Sequence, residues 1–169
     1  IILATNYKSE YIENYFGDGS RYGVTLEVSK EDKPLGTAGP LLLLKNELTE
    51  PFLVMNGDIL TLIDFGKLYE YAITQESDMT IAIKKEITPF AFGNIYFDGN
   101  RVTGIQEKPD IIMYILAGIY IMKPSMFNYF PEEPEYFGMD ELILNMLSKG
   151  KAITKYDIEE YWLDIGRLN

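Results

Sequence analysis

The sequence predicts a mixed α/β fold, a sheet with helices on both faces, in one domain. Three observations carry that reading. Phe52–Met55 is a short, wholly apolar run closed by Asn56-Gly57-Asp58, the pattern of a strand buried on both faces as in a parallel sheet. Strands then alternate with helix-period segments through the first half of the chain. Finally, Asp98-Gly99-Asn100 lies between two strand-like runs, a hairpin signal that interrupts the alternation.

Taken in order, Ile1–Ala4 reads as a strand and Asn6–Lys8 as the approach to a short helix. Ser9 is its expected N-cap, and Ile12, Tyr15 and Phe16 its apolar stripe. Gly17-Asp18-Gly19 ends it, and Tyr22–Val28 reads as the second strand. The glycine-punctuated stretch from Lys33 to Pro40 leads into a helix through Leu41–Leu44, with Pro40 suited to its first turn. After the run at Phe52, Asp64 caps a helix to about Gln75, with Phe65, Leu68, Tyr69, Ala72 and Ile73 on one face. Met79–Lys84 alternates as a strand, Gly93–Phe97 and Val102–Gln106 form the hairpin, and Ile115–Met122 is a further apolar strand. Met139, Leu142, Ile143, Met146 and Leu147 mark a helix with acids in its first turn and Gly150 beyond its end. Lys151–Asp157 and the stretch through Trp162 to Gly166 close the chain. No repeat or linker divides residues 1–169, which are read as a single domain.

Composition narrows the chemistry. With 26 acidic and 15 basic residues the net charge is −11, a poor match for nucleic acid or an anionic membrane. The chain has no cysteine and no histidine, which removes thiolate chemistry, disulfides and imidazole ligands. A bound metal is therefore expected to be hard and oxygen-ligated, with Mg²⁺ first. No apolar run is long enough to span a bilayer. The chain starts within what reads as a strand and without methionine, so its native beginning is expected to lie upstream.

Four stretches carry candidate chemistry. Asp58 follows a buried strand, where open α/β folds gather ligands at the carboxyl edge of the sheet. Leu35-Gly36-Thr37-Ala38-Gly39 precedes a helix, where glycines admit close backbone approach and the helix start favours anions or ring-edge acceptors. In Glu107-Lys108-Pro109 the proline restricts Lys108 to an extended backbone, aiming a point charge suited to a phosphate monoester. Asp164 follows Trp162, whose ring would keep water from one side of the carboxylate. Each has a purely structural alternative: a turn aspartate, an ordinary helix entry, a solvated strand end, a cap.

Six motifs occur together in order: Pro34 to Gly39, Asn56-Gly57-Asp58, Phe92-Gly93, Glu107-Lys108-Pro109, Ala117-Gly118-Ile119-Tyr120 and Trp162 to Gly166. This set closely resembles the sugar nucleotidyltransferases, most of all the mannose-1-phosphate guanylyltransferase branch, and it spans essentially the whole chain. The resemblance implies a Rossmann-like three-layer α/β/α sandwich with a mixed, mostly parallel sheet, and a cytoplasmic enzyme for which a homo-oligomer is one expectation. It implies transfer of a nucleotidyl group from a nucleoside triphosphate, GTP by preference, to a hexose 1-phosphate with release of pyrophosphate. By the same resemblance Asp58 and Asp164 hold Mg²⁺ and, with Lys108, are the catalytic residues. Leu35, Gly36, Thr37, Ala38 and Gly57 border the nucleotide, and Gly93, Glu107, Lys108 and Gly118 border the sugar phosphate. Two departures stand out: the family's glycine-rich loop would precede Ile1, and Leu116 stands where relatives commonly have asparagine. The chain as given is accordingly expected to turn over slowly, and its sugar preference is left open. Rival readings are a thymidylyl- or uridylyltransferase of the same family, a metal-dependent glycosyltransferase of related fold, and a catalytically silent regulatory homologue.

Overall fold

The computed structural model describes residues 1–166. Its strands are β1 (Ile2–Thr5), β2 (Glu27–Lys30), β3 (Phe52–Met55), β4 (Ile59–Thr61), β5 (Met79–Pro89), β6 (Asn94–Asp98), β7 (Arg101–Gln106), β8 (Asp110–Met122), β9 (Ile153–Asp157) and β10 (Trp162–Asp164). Its helices are α1 (Ser9–Phe16), α2 (Pro40–Leu43), α3 (Phe65–Thr74) and α4 (Met139–Ser148). Among the described residues no helix is long and apolar enough to cross a membrane.

The main sheet has four strands in the order β3-β8-β5-β9. Its two faces bury different residues, as a period of two requires. Met79 and Ile81 of β5, with Tyr120 and Met122 of β8, pack against Leu41 of α2 and Leu142 and Met146 of α4. Ala82 of β5, with Ile119 and Ile121 of β8, packs against Leu68 and Ala72 of α3. Helices therefore cover both faces, as the sequence predicts.

The expectation of a mostly parallel sheet is corrected. In the main sheet β8 runs antiparallel to both β3 and β5, and β5 and β9 are parallel, while the separate pair β1-β2 is also parallel. The reason is the hairpin: β6 and β7 return the chain beside β5, so β8 comes back along it as one long antiparallel ribbon. An apolar run carries no record of strand direction. The remaining strands form three separate pairs, β1-β2, β4-β10 and β6-β7, rather than one continuous doubly wound sheet.

β3 is likewise not buried on both faces. It pairs only with β8 among the described residues, and Leu53 and Met55 are 40% and 36% exposed. The second strand falls at Glu27–Lys30, after a 3₁₀ turn over Ser20–Tyr22 bracketed by Gly19 and Gly23, both at positive φ. Ser9 is the first helical residue and not the cap; the capping position is Lys8, at φ +55, and the Ser9 hydroxyl bonds that of Thr5 at 2.6 Å.

Local signals hold elsewhere. Asp64 caps α3 by accepting from the Lys67 amide at 3.1 Å, which holds its carboxyl below the usual range. That contribution is present above the ordinary carboxylate range and fades as pH falls through it. Gly150, at φ +69, stops α4. Asp98 pairs with Arg101, leaving Gly99-Asn100 as a two-residue hairpin loop.

Candidate active site

Asp58 lies in the turn between β3 and β4, and Asp164 ends β10. β4 and β10 are antiparallel, with Asp164 opposite Ile59 and the Ile165 amide donating to the Asp58 carbonyl at 2.9 Å. The two acids thus become neighbours. Their carboxylates flank Gly166: a side chain there would collide with Asp58 Oδ2 and come within 3.2 Å of Asp164 Oδ1. The Gly166 amide donates to Asp164 Oδ1 at 2.9 Å, fixing that carboxylate. Asp58 is exposed and Asp164 half-buried.

The pair is braced from β8. Between Ile81 and Ile83 the β5-β8 register slips, because Ala117, Gly118 and Ile119 occupy the space opposite Ala82. This bulge puts Gly118 at φ +69, where Asn56 packs so closely that a side chain at 118 would meet its amide group at 2.9 Å. The Asn56 amide donates to the Gly118 carbonyl at 2.8 Å. Trp162 Nε1 donates to the Ala117 carbonyl at 2.8 Å, tying the Asp164 strand to the same bulge. Gly57, Asp58, Gly118 and Asp164 therefore form one cluster. Next to the bulge, burial and then the charge of Asp140 push the Tyr120 hydroxyl pKa up.

The donor set suits Mg²⁺, which is usually held by one or two carboxylates with waters and substrate phosphates completing its shell. No third acid, histidine or cysteine joins them among the described residues. Gly166, having no side chain, does not itself intrude between the two carboxylates.

Leu35 to Gly39 is a loop bound to the residues before α4. Ala38 and Gly39 amides both donate to the Phe137 carbonyl at 3.0 Å, and Phe137 returns a bond to Leu35. Gly36, at φ +79, sits where a side chain would meet the Phe137 carbonyl at 2.7 Å. The expected anion site at the helix start is corrected: α2 spans only Pro40–Leu43, and the Ala38 and Gly39 amides are already committed. Leu35 and Ala38 are buried in the core, so only Gly36 and Thr37 present themselves outward. The Thr37 hydroxyl accepts from the Met139 amide at 2.8 Å, serving as the cap that Gly138 has no side chain to supply.

Gly93, Glu107 and Lys108 form a third cluster at the open end of the hairpin. Glu107 Oε2 lies 3.2 Å from where a Gly93 side chain would begin. The expected extended backbone at Lys108 is corrected: its φ is +44. The chain must reverse here from β7 into β8, with the Phe90 amide bonded to the Pro109 carbonyl at 3.0 Å. Proline disfavours the right-handed helical region, and the reversal is made in the left-handed one. β8 connects this cluster to the aspartates, from Asp110 to Gly118, up to roughly 26 Å of strand.

Lys84 is a residue that sequence reasoning did not single out. Its Nζ donates to the carbonyls of Ile158, Glu159 and Glu160, at 3.1, 3.4 and 2.8 Å. Those residues form the loop that delivers β10, and hence Trp162 and Asp164. A lysine in an alternating strand offers no local signal for this role. Lys84→Met should lower the melting temperature by several degrees, since three carbonyls lose a charged donor. Lys84→Arg should restore part of it. An unchanged melting curve for Lys84→Met would show that the loop holds itself.

Solved structures share this fold. A putative glucose-1-phosphate thymidylyltransferase from Bacillus anthracis superposes with a TM-score of 0.74 at 22% identity, over 98% of this chain and 70% of that one. HddC from Yersinia pseudotuberculosis, complexed with GMP-PN, gives 0.72 at 24% identity, over 99% and 73%. These likenesses show that the fold is shared. At the level of sequence, the family described as Nucleotidyl transferase matches residues 1–169, and the chain belongs to it. Curated relatives include the mannose-1-phosphate guanylyltransferase catalytic subunit beta of Drosophila melanogaster, 31% identical over 99% of this chain and 47% of that protein. The mannose-1-phosphate guanyltransferase of Debaryomyces hansenii is 32% identical over 99% and 48%. The chain spans about half the length of the curated relatives it matches.

Proposed function

We propose that this chain carries the catalytic segment of a sugar-1-phosphate nucleotidyltransferase that uses GTP and a hexose 1-phosphate, with mannose 1-phosphate the first candidate. The observation that carries the reading is the pairing of Asp58 with Asp164 across β4 and β10, with their carboxylates on either side of Gly166. Preference for a guanine nucleotide follows the curated relatives near 30% identity. The thymidylyltransferase likeness is one of fold.

In the reaction an oxygen of the sugar phosphate attacks the α-phosphorus of the triphosphate in line. A phosphorus–oxygen bond forms to the sugar phosphate, the α–β bridging bond breaks, and its electron pair leaves with pyrophosphate. The nucleophile is already anionic, so the step needs no histidine base, and the chain has none. The difficulty is charge, since two polyanions must meet on a chain of net charge −11. Mg²⁺, when bound, supplies charge neutralisation and polarises phosphoryl oxygen. Asp58 and Asp164 would hold it. Lys108 neutralises the sugar phosphate, and Glu107 accepts hydrogen bonds from sugar hydroxyls beside Gly93. Gly36 and Thr37 border the base and ribose, while Leu35 and Ala38 support that loop from the core.

The test is to supply GTP, dTTP or UTP with mannose 1-phosphate or glucose 1-phosphate and Mg²⁺, and to measure pyrophosphate and nucleotide-sugar. Equal amounts of the two products are expected, with GTP and mannose 1-phosphate fastest. A chain that releases no pyrophosphate with any pair, yet transfers sugar from a nucleotide-sugar, would be a glycosyltransferase instead.

A further inference from the structure

Lys84 stands on the α3 face of β5, two residues beyond the buried Ala82, on the side where Ile158 and Trp162 pack over the sheet. Its ammonium has three donors, and three successive carbonyls, those of Ile158, Glu159 and Glu160, converge on it at 3.1, 3.4 and 2.8 Å. Carbonyls aimed at one point make a cation site, here filled by a side chain of the chain itself. The backbone on either side of this stretch has other anchors. The Ile158 amide donates to the Ile83 carbonyl at 2.9 Å, and the Tyr161 carbonyl accepts from the Leu62 amide at 3.0 Å and the Thr61 hydroxyl at 2.9 Å. Between them the carbonyls of Glu159 and Glu160 accept from Lys84 and, among the described residues, from nothing else.

We propose that Lys84 is a positioning residue for the metal-binding pair: by gathering residues 158–160 it sets where β10 begins, and so holds Asp164 at Asp58. β10 and β4 are three residues each and pair with each other. A two-stranded pair so short is marginal alone, and its alignment depends on what feeds it. The loop under Lys84 feeds β10 directly. The Trp162 indole bond to the Ala117 carbonyl and the Ile165 amide bond to the Asp58 carbonyl follow within a few residues. The three donors of Lys84 are spent on the loop, so its effect on the aspartates runs through the backbone. A consequence for metal affinity rests on the function proposed above; the alignment of the two strands does not.

Lys84→Met keeps the apolar stem and removes the charge, while Lys84→Arg keeps a charge whose flat fork does not match three converging carbonyls. Hydrogen exchange reads the alignment directly. In Lys84→Met the Ile165 amide, which donates to the Asp58 carbonyl, should exchange about tenfold faster, while the Asn56 amide, bonded to the Gly118 carbonyl in the bulge, should keep its rate. The Mg²⁺ concentration that half-saturates pyrophosphate release should rise about tenfold, the usual size when a residue behind a metal ligand is lost. Lys84→Arg should fall between parent and Lys84→Met in both measurements. Three results would each overturn the proposal. An Ile165 amide that exchanges as in the parent would leave the loop to hold itself. Equal acceleration at Ile165 and Asn56 would make Lys84 a general support of the fold. An unchanged half-saturation beside a faster Ile165 amide would put Asp164 in place without Lys84. A parent chain whose rate and melting both ignore Mg²⁺ would instead remove the metal role from the aspartates, and the two exchange rates then decide the part of Lys84 by themselves.

Discussion

Asp58→Asn and Asp164→Asn should each slow pyrophosphate release by about 10²–10³-fold, roughly 3–4 kcal/mol of transition-state stabilisation. The size follows from what the pair is proposed to do. A carboxamide keeps the shape and one acceptor oxygen but loses the charge that makes a hard-cation ligand, and two ligands from the protein leave no redundancy. The double variant should be little worse than either single one, because groups acting on one ion fail together. Stability should move less than the rate, because Asp58 is exposed and asparagine keeps the shape of the side chain it replaces. Rates are to be measured with Mg²⁺ in excess and melting with chelator present. An Asp58→Asn or Asp164→Asn protein that keeps its rate would remove the metal role from that residue.

Lys108 offers the second large effect and a cleaner separation of folding from function. A lysine at φ +44 sits in a region that costs an L-residue about 1–2 kcal/mol, and glycine adopts it freely. Lys108→Gly should therefore stabilise the protein, by about 0.5–1 kcal/mol once the greater freedom of glycine in the unfolded chain is subtracted. The same variant should lose about 10²-fold in kcat/KM for the sugar 1-phosphate, because the ammonium that meets the phosphate is gone. Lys108→Ala should lose the same activity without the gain in stability. The two variants thus separate the cost of the backbone conformation, which only glycine relieves, from the loss of the ammonium, which both share. A fully active Lys108→Gly would assign the left-handed turn to the β7-β8 reversal alone.

What could be read from the sequence was what is local. The Asp64 cap, the glycine after α4 and the hairpin turn at Asp98-Gly99-Asn100 each depend on a few adjacent residues, and each is found, whereas of the α3 stripe only Leu68 and Ala72 are buried. Strand direction was not local. Phe52–Met55 looks the same whether its neighbour runs with it or against it, and the answer came from where β6 and β7 return the chain. β4 was missed altogether because three residues, Ile59–Thr61, become a strand only by pairing with β10 a hundred positions later. The meeting of Asp58 and Asp164 depends on that same pairing, so no local pattern could announce it; only the ordered set of motifs pointed there. Lys108 shows the opposite error, a local rule about residues before proline overridden by the geometry of the reversal. In the Leu35–Gly39 loop the glycines were correctly marked as sites of close approach, but what approaches Gly36 is the Phe137 backbone.

The hydroxyl of Thr37 gives that loop a voice at some distance. Since it terminates the first turn of α4 through the Met139 amide, the loop and the helix are mechanically one piece, and a nucleotide seated along Gly36 and Thr37 would damp both. Deuterium uptake at Met139 should then slow when nucleotide is added, through the Thr37 hydroxyl that accepts from its amide. A backbone proton on the opposite side of the cap becomes a spectator that records occupancy.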